Sequence, residues 1–592
     1  MPSAMRWLSL VAALLALNAS LTFQNVWPTL AIRVPTPPEI SPELALAVLA
    51  LVAWGAWWCS APGRTAPARE SASRALATGL AALSVPFLVA RYAEVTAPAL
   101  YGRPVNLYWD TRHVGNVVRM LVEVAGTGLA LAVAAGALLA AAIAFVAFRA
   151  AWARIGAAVA NRTERRVLGV VSGVVCAGWF AALAGAPVAL AGIRYSIPVT
   201  QTYAEQLRLI ASAAFASGSA DALARDANHP AEADRLAPAA FEALGGDDVL
   251  LVFLESYGAV TYTRPEFAAR LAEPRNALAA AVEATGRRAV SATVTAPTFG
   301  GNSWLSHLTL LSGLEITAPD AYARTMQIER PTLVQEFAVA GYRTIALMPG
   351  LRQAWPEGAF YRFDAIVGAD ALDYRGPEFG WWRIPDQYAL AALEREPRDG
   401  RPRFVFFPTI SSHAPFRPTP PYQPDWERLA GDRPFGAEAQ AALEVAPDWT
   451  DLGPAYGDTI AYAHEWLAGW LRRNAAANAT VVVLGDHQPP AAVSGPGADW
   501  TVPVHVFTRR ESVIGRLLAA GFVAGLQPPT QPLMRMHALR PVLRSAFTGT
   551  RQDGEPTTPV SVAARIAGHD IDAAGVHVAG SAREAHVPQL AP

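Results

Sequence analysis

Three short apolar runs in the second half of the chain each end in side chains capable of chemistry. Residues 249–254 (VLLVFL) lead into Glu255-Ser256-Tyr257-Gly258, and residues 404–407 (FVFF) into Thr409-Ile410-Ser411-Ser412-His413. Residues 480–484 (TVVVL) lead into Gly485-Asp486-His487-Gln488. A short continuous apolar run that stops at polar residues reads as a strand buried on both faces of its sheet. Glu255, Asp486 and His487 together supply two carboxylates and an imidazole, a donor set suited to Mn²⁺, Mg²⁺ or Zn²⁺. A single carboxylate at a strand end is more often a helix cap, and a lone histidine more often a satisfied polar residue. An adjacent Asp-His pair is more specific, because two ligand types emerge together where sites form.

A nucleophile for such a centre is expected on a short loop running into a helix. Phe299-Gly300-Gly301-Asn302-Ser303 fits, since its glycines permit a sharp turn and LSHLTLLSGL beyond it has helical apolar spacing. Ser303 then stands near a helix N-terminus, where backbone N–H groups and the dipole favour an oxyanion or a phosphate. The alternative role for the same residue is a helix N-cap.

The elements that must position these groups follow from the same pattern. A further strand is expected at 343–347, and helices around 325–340 and 456–472. Alternating helices and buried strands predict an α/β domain with a mostly parallel sheet. Ligands of such sheets bind beyond the carboxyl ends of the strands, where Glu255, His413, Asp486 and His487 all fall.

The first third of the chain is of another kind. Of 592 residues 52% are hydrophobic and only 16% charged, against about 25% in an ordinary soluble protein; the deficit lies before residue 196. Apolar stretches at about 5–23, 41–58, 75–92, 118–148 and 167–192 are each long enough to cross a bilayer, predicting five transmembrane helices, the fourth over-long. Every basic residue is arginine, and Arg149, Arg154, Arg162, Arg165 and Arg166 crowd the fourth loop. By the positive-inside rule this places the N-terminus in the cytoplasm and everything after residue 195 outside it. The segment YGRPVNLYWDTRH (101–113) reads as interfacial, either anchoring or presenting lipid. The expected organisation is a transmembrane domain 1–195, a helical connector 196–245, a catalytic domain 246–547 and a peripheral tail 548–592. The two cysteines, Cys59 and Cys176, lie in or beside apolar segments, so the outer domain has neither disulfides nor cysteine-based zinc. A net charge of −1 gives no reason to expect nucleic acid. His464 and His505 are read as structural.

Residues 246–510 resemble the sulfatase-type domain of the alkaline phosphatase superfamily. Ser303-Trp304-Leu305-Ser306-His307, followed by Ser312-Gly313, keeps the register of the C/S-x-P-x-R nucleophile motif. Leu305 replaces its proline and His307 its arginine, so conversion to formylglycine, and hence sulfatase chemistry, is not expected. The resemblance narrows to the membrane-anchored branch with an unmodified Ser or Thr nucleophile, which includes lipoteichoic acid synthases and phosphoglycerol transferases. It implies one divalent ion, Mn²⁺ before Mg²⁺ or Zn²⁺, held by Glu255, Ser303, Asp486 and His487. It also puts His413, in a T-x-S-x-H-x-P-F element, at the substrate phosphate or leaving group. Disulfide-rich phosphoethanolamine transferases fit less well, because the outer domain has no cysteine. Trp355 matches an aromatic of the phosphoglycerol transferases' Trp-x-Arg element, but Glu357 stands in place of the arginine. Arg352 or Arg362 is the substitute, and His307 a further candidate substrate contact.

The resemblance therefore implies a multi-pass enzyme of the cytoplasmic (inner) membrane with its catalytic domain outside. It would move a phospholipid head group, most simply phosphoglycerol, through a covalent serine intermediate onto an envelope glycan or polymer. A hydrolase that hands the intermediate to water, and a non-catalytic envelope module of the same fold, are the competing expectations.

Overall fold

Lipid-facing helices are apolar on their outer surface and packed through small residues, and the first third of the chain has this character. The computed structural model describes residues 3–60, 65–111, 114–185, 194–214, 241–328, 330–431 and 433–548. The end of the expected fifth span (186–192), the later part of the connector (215–240), the last two residues of the interfacial segment (112–113) and the tail after 548 lie outside the described residues. Among the described residues of this part there are five long helices: Ser3–Thr22 (α1), Pro42–Ser60 (α2), Ala66–Tyr101 (α3), Val114–Ala160 (α4) and Arg162–Leu183 (α5). Four of them contain segments long and apolar enough to cross a membrane: Ser3–Thr22, Glu70–Tyr101, Gly126–Ala160 and Arg162–Leu183. The second expected span forms the shorter apolar helix Pro42–Trp58. The over-long fourth stretch has a local cause. Gly126 takes φ 78°, ψ 156° and breaks α4, separating the spanning part from residues 114–125.

Large apolar side chains of α4, such as Leu131, Leu138 and Val146, point outward, while Ala81, Ile155 and Ala158 are fully buried between helices. At one end of the bundle the buried Glu164 carboxylate pairs with Arg6 and Arg154, each at 2.9 Å, tying α1, α4 and α5 together. Toward the other end, Arg91 Nε donates to the Phe23 carbonyl at 3.1 Å. The connector begins as the helix Pro198–Ala214 (α6).

The second half is a nine-stranded sheet between helical layers. In chain order its strands are Asp248–Leu254 (β1), Arg288–Thr295 (β2), Arg343–Leu347 (β3), Ala365–Val367 (β4), Arg403–Pro408 (β5), Ala479–Gly485 (β6), Thr501–Thr508 (β7), Val523–Ala524 (β8) and Met534–Arg535 (β9). They are arranged β8-β2-β7-β6-β1-β5-β3-β4, with β9 paired to β2. The run β6-β1-β5-β3-β4 is parallel throughout, and β7 and β2 join it antiparallel. The central strands are buried on both faces, and their side chains alternate between two cores. Leu250, Val252 and Leu254 enter the core that holds Ile460 and Trp466 of the helix Gly453–Arg473 (α8). Val249, Leu251 and Phe253 enter the other, with Leu305, Leu308 and Leu311 of the helix Ser303–Ser312 (α7). At about 25 cal/mol per Å² of buried apolar surface, this two-sided burial is what makes the strands continuous apolar runs.

Register decides where the polar strand ends fall. Gly485 pairs with Leu254, and Phe253 with Pro408, so β6, β1 and β5 finish side by side. Glu255, Asp486 and Thr409 therefore leave the sheet at one edge. The helix expected around 325–340 is divided into two short ones, Pro319–Thr325 and Leu333–Val339, the second starting at a Thr332/Gln335 capping box.

Candidate active site

Side-chain and backbone hydrogen bonds lock the three strand ends together. The Glu255 N–H donates to Thr409 Oγ1 at 3.0 Å, and the Glu255 carbonyl accepts the Ser412 hydroxyl at 2.6 Å. Ser256 is a non-glycine residue at φ 58°, and its N–H donates to Asp486 Oδ1 at 2.8 Å. The Tyr456 hydroxyl on α8 donates to the Ser256 carbonyl at 2.9 Å, holding this left-handed residue from the other side. A strained turn held by several partners in this way is typical of a site where side-chain direction matters.

The result is a compact cluster. Ligand atoms of Glu255, Asp486 and His487 lie within 4.8 Å of one another, all three residues being buried. His487 Nε2 stands 3.5 Å from Glu255 Oε1 and 3.5 Å from Asp486 Oδ2. His487 Nδ1 lies 2.8 Å from the Gln488 carbonyl. A carbonyl only accepts, so Nδ1 carries the proton and Nε2 turns its lone pair into the cluster. Metal-binding imidazoles are commonly oriented in this way.

The cluster is short of positive charge. Burial, and then the neighbouring Glu255, push the Asp486 carboxyl up to about 6. Burial alone would lower His487, but the Asp486 and Glu255 carboxylates carry it upward. Two buried carboxylates drawing a proton toward an imidazole are the electrostatic signature of a place for a cation. The donor set of oxygen and imidazole fits Mn²⁺, Mg²⁺ or Zn²⁺.

Ser303 completes the arrangement. Gly300, Gly301 and Asn302 all have positive φ (64°, 144° and 62°), and this turn ends in α7 with Ser303 as its first helical residue. Its Oγ donates to Glu255 Oε2 at 3.0 Å and lies 3.2 Å from His487 Nε2. The position of the N-cap falls to Asn302, and the Ser303 hydroxyl is turned to the cluster instead. Ser306, one turn on, donates to the Asp486 carbonyl at 2.6 Å and fixes α7 against the ligand loop.

The other expected site residues are placed differently. His413 follows the Ser412 that bonds Glu255; its Nδ1 lies 2.8 Å from the Ala414 carbonyl, and burial lowers its pKa. His307 packs edge-on against Phe253 (centroids 4.6 Å) and Phe406 (5.3 Å). Burial takes His307 down to about 4, so it is neutral at ordinary pH and brings no positive charge to the place of the motif's arginine. Its ring resonances are expected to stay at neutral-imidazole positions from pH 8 down to about 5.5; an NMR midpoint above 6 would contradict this. Trp355 stacks on Tyr361 (5.5 Å) and lies near Phe363 (6.5 Å), against the core. Arg352 is exposed on the same loop.

Two supporting features escaped the sequence reading. Asp386, buried at the start of the helix Asp386–Arg395, accepts the N–H groups of Ile410 (2.8 Å) and Ser411 (2.9 Å), shaping the loop that carries Ser412 and His413. Burial raises its carboxyl to about 6, against the pull of those bonds. Asp386→Ala leaves the buried Ser411 N–H and the half-buried Ile410 N–H unpaired and is expected to cost about 2–4 kcal/mol. That is a fall of roughly 5–10 °C in the unfolding midpoint, and an unchanged midpoint would contradict it. The second feature is an aromatic wall: Trp304 meets Tyr322 edge-on at 4.5 Å, and Tyr322 lies near Tyr361, which stacks on Trp355. No short-range pattern joins these four residues.

No curated protein matches the sequence. Among solved structures, a protein of the alkaline phosphatase superfamily from Vibrio parahaemolyticus is 16% identical, with a TM-score of 0.35, over 51% of this chain. The alignment spans 66% of that protein, just under two thirds of its length. The lipoteichoic acid synthase from Listeria monocytogenes is 12% identical over 49% of this chain and 74% of its own, with a TM-score of 0.32. The Streptococcus pyogenes phosphoglycerol transferase in complex with sn-glycerol-1-phosphate is 13% identical over 58% and 88%, with a TM-score of 0.33. Residues 285–503 match the sulfatase family. That range contains Ser303, His413, Asp486 and His487, while Glu255 lies ahead of it and joins them through the pairing of β1 with β6 and with β5. Behind its apolar helices, the chain carries an α/β domain whose residues 285–503 are similar to the sulfatase family.

Proposed function

We propose that this protein is a membrane-bound, metal-dependent phosphotransferase that moves a phospholipid head group, phosphoglycerol in the simplest case, onto an envelope glycan or polymer. The observation that carries this reading is the Ser303 hydroxyl, within hydrogen-bonding distance of both Glu255 and His487 in a buried cluster built for a cation. The apolar helices, four of them long enough to cross a membrane, would hold the domain at the bilayer in which a lipid donor resides. The orientation proposed from the arginines puts the domain outside the cytoplasm, where glycan acceptors are found.

In the proposed mechanism Glu255, Asp486, His487 and Ser303 hold one divalent ion. When bound, such an ion lowers the serine hydroxyl's pKa and balances charge on the phosphoryl oxygens. Ser303 Oγ forms a bond to phosphorus and the bond to the diacylglycerol oxygen breaks. In net terms the serine proton leaves on diacylglycerol. An acceptor hydroxyl then attacks phosphorus and Ser303 Oγ departs, taking up the acceptor's proton. His413, kept neutral by burial with Nδ1 turned to the Ala414 carbonyl, directs Nε2 the other way as a base for that second half. Trp355 and Arg352 are the proposed contacts for the head group, with His307 a neutral ring behind Ser303.

The test is to incubate the protein in vesicles of phosphatidylglycerol or phosphatidylethanolamine with Mn²⁺ and a glycan acceptor, and to identify the head-group product. Head-group adducts on the glycan, with diacylglycerol in equal amount, are expected. Free glycerol phosphate alone would favour hydrolysis, and no diacylglycerol from either lipid would sink the reading.

A further inference from the structure

The apolar span Glu70–Tyr101 of α3 has 32 residues. At 1.5 Å per residue it is about 48 Å long, longer than the roughly 30 Å hydrocarbon core and comparable to the 40–45 Å that includes the head groups. With its Arg74 end at one surface of a bilayer, the Tyr101 end stands at the lipid head groups of the other.

That end of α3 meets the nucleophile loop in direct backbone contact. Gly102 caps α3 in the left-handed region (φ 79°), its N–H bonded to the Pro98 carbonyl, and a Cβ there would lie 2.3 Å from the Phe299 ring. Across the contact Gly300 is also left-handed (φ 64°), and a Cβ there would lie 2.2 Å from the Tyr101 carbonyl oxygen. Neither separation is one that real Cβ atoms adopt, so each glycine is needed for closeness as well as for φ. The Gly300 N–H donates to the Gln488 carbonyl at 3.1 Å, the same carbonyl that holds His487 Nδ1. Pro490 lies against Gly300, and the short helix Ala491–Ser494 packs on α3. The end of α3 is therefore seated between the loop that presents Ser303 and the loop that presents Asp486 and His487. Trp500, partly exposed, packs on Phe299 at 5.9 Å at the same place.

We infer that Tyr101 and Gly102 are positioning residues: α3 acts as a ruler that fixes the Ser303 centre at the height of the phospholipid head groups, so the phosphodiester is reached while its acyl chains stay in the bilayer. A tether alone would need neither the paired glycines nor the contact with both active-site loops. This inference rests on the reading of Ser303 as the nucleophile toward a lipid phosphodiester.

Gly102→Asn separates clash from strain, because asparagine tolerates a positive φ while its Cβ meets the Phe299 ring. Turnover of phosphatidylglycerol in vesicles is expected to fall by about tenfold or more. Hydrolysis of the water-soluble bis(p-nitrophenyl) phosphate should stay within about twofold of the parent. Adding Phe299→Ala removes the ring and should restore most of the lipid turnover. An equal loss on both substrates, or unchanged lipid turnover, overturns the inference. Height is read independently with a bimane on Trp500→Cys, with Cys59 and Cys176 replaced by serine, in vesicles carrying head-group nitroxide lipids. Strong quenching is expected, and its absence overturns the inference whatever the lipid activity. Strong quenching in a protein that turns over neither lipid would count against the substrate reading alone.

Discussion

Replacing Ser303 with alanine is expected to abolish head-group transfer, a loss of roughly 10³-fold or more in kcat, while the protein still folds and still binds Mn²⁺. The hydroxyl is the one group of the cluster that points at a reacting phosphorus in the proposed mechanism. Its two hydrogen-bonding neighbours, Glu255 and His487, keep their own supports from Thr409, Ser412 and Gln488 without it. The rise in unfolding temperature on adding Mn²⁺ should therefore survive in Ser303→Ala. Phosphatidylglycerol turnover at the native rate would remove the serine from the mechanism.

The second large effect separates function from stability. Asp486 Oδ1 accepts the N–H groups of Ser256 (2.8 Å) and His487 (2.7 Å), while Oδ2 faces His487 Nε2. Asp486→Asn keeps the Oδ1 acceptor and puts an amide donor where the second carboxylate oxygen crowded Glu255. Without metal, a carboxyl raised to about 6 binds its proton more tightly folded than unfolded. It therefore lowers stability as pH rises from about 4 through 6, and the cost is fully present at pH 7.5. Relief of that cost should leave metal-free Asp486→Asn equal to the parent or more stable, by on the order of 1–3 kcal/mol. Metal should reverse the order. At one hundred times its Kd, Mn²⁺ adds about 2.7 kcal/mol to the parent, and this gain should vanish in the variant together with activity. Equal stabilisation of both proteins by Mn²⁺ would show that Asp486 is not a ligand.

Much of this arrangement was legible because burial on both faces leaves a plain mark. The runs that became β1, β5 and β6 are continuous apolar stretches, and their polar ends lie together because parallel strands end together. The pairing of Asp486 with His487, and the glycine turn before Ser303, are local patterns of the same kind. The antiparallel strands β2 and β7 were not anticipated, since their sequences mix serine, threonine, proline and histidine with valine. Asp386 was invisible for another reason. Its partners Ile410 and Ser411 are distant in sequence, and an aspartate at a helix start looks like any other. The same is true of Tyr456 beneath Ser256. His307 could be placed on α7 from spacing, yet its neutrality comes from Phe253 and Phe406 on separate strands. In the membrane part, composition located the apolar stretches, but the break at Gly126 depends on a backbone conformation that no hydropathy pattern encodes.

The central claim, that Ser303 carries the head group between donor and acceptor, is tested most directly by trapping that intermediate. The protein is mixed with head-group-labelled phosphatidylglycerol and Mn²⁺ without acceptor, quenched in acid and digested for mass spectrometry. The account predicts a phosphoglycerol adduct on the peptide containing Ser303, absent in Asp486→Asn and discharged by adding acceptor. Diacylglycerol release with no adduct on Ser303, or an adduct on another residue, would contradict it.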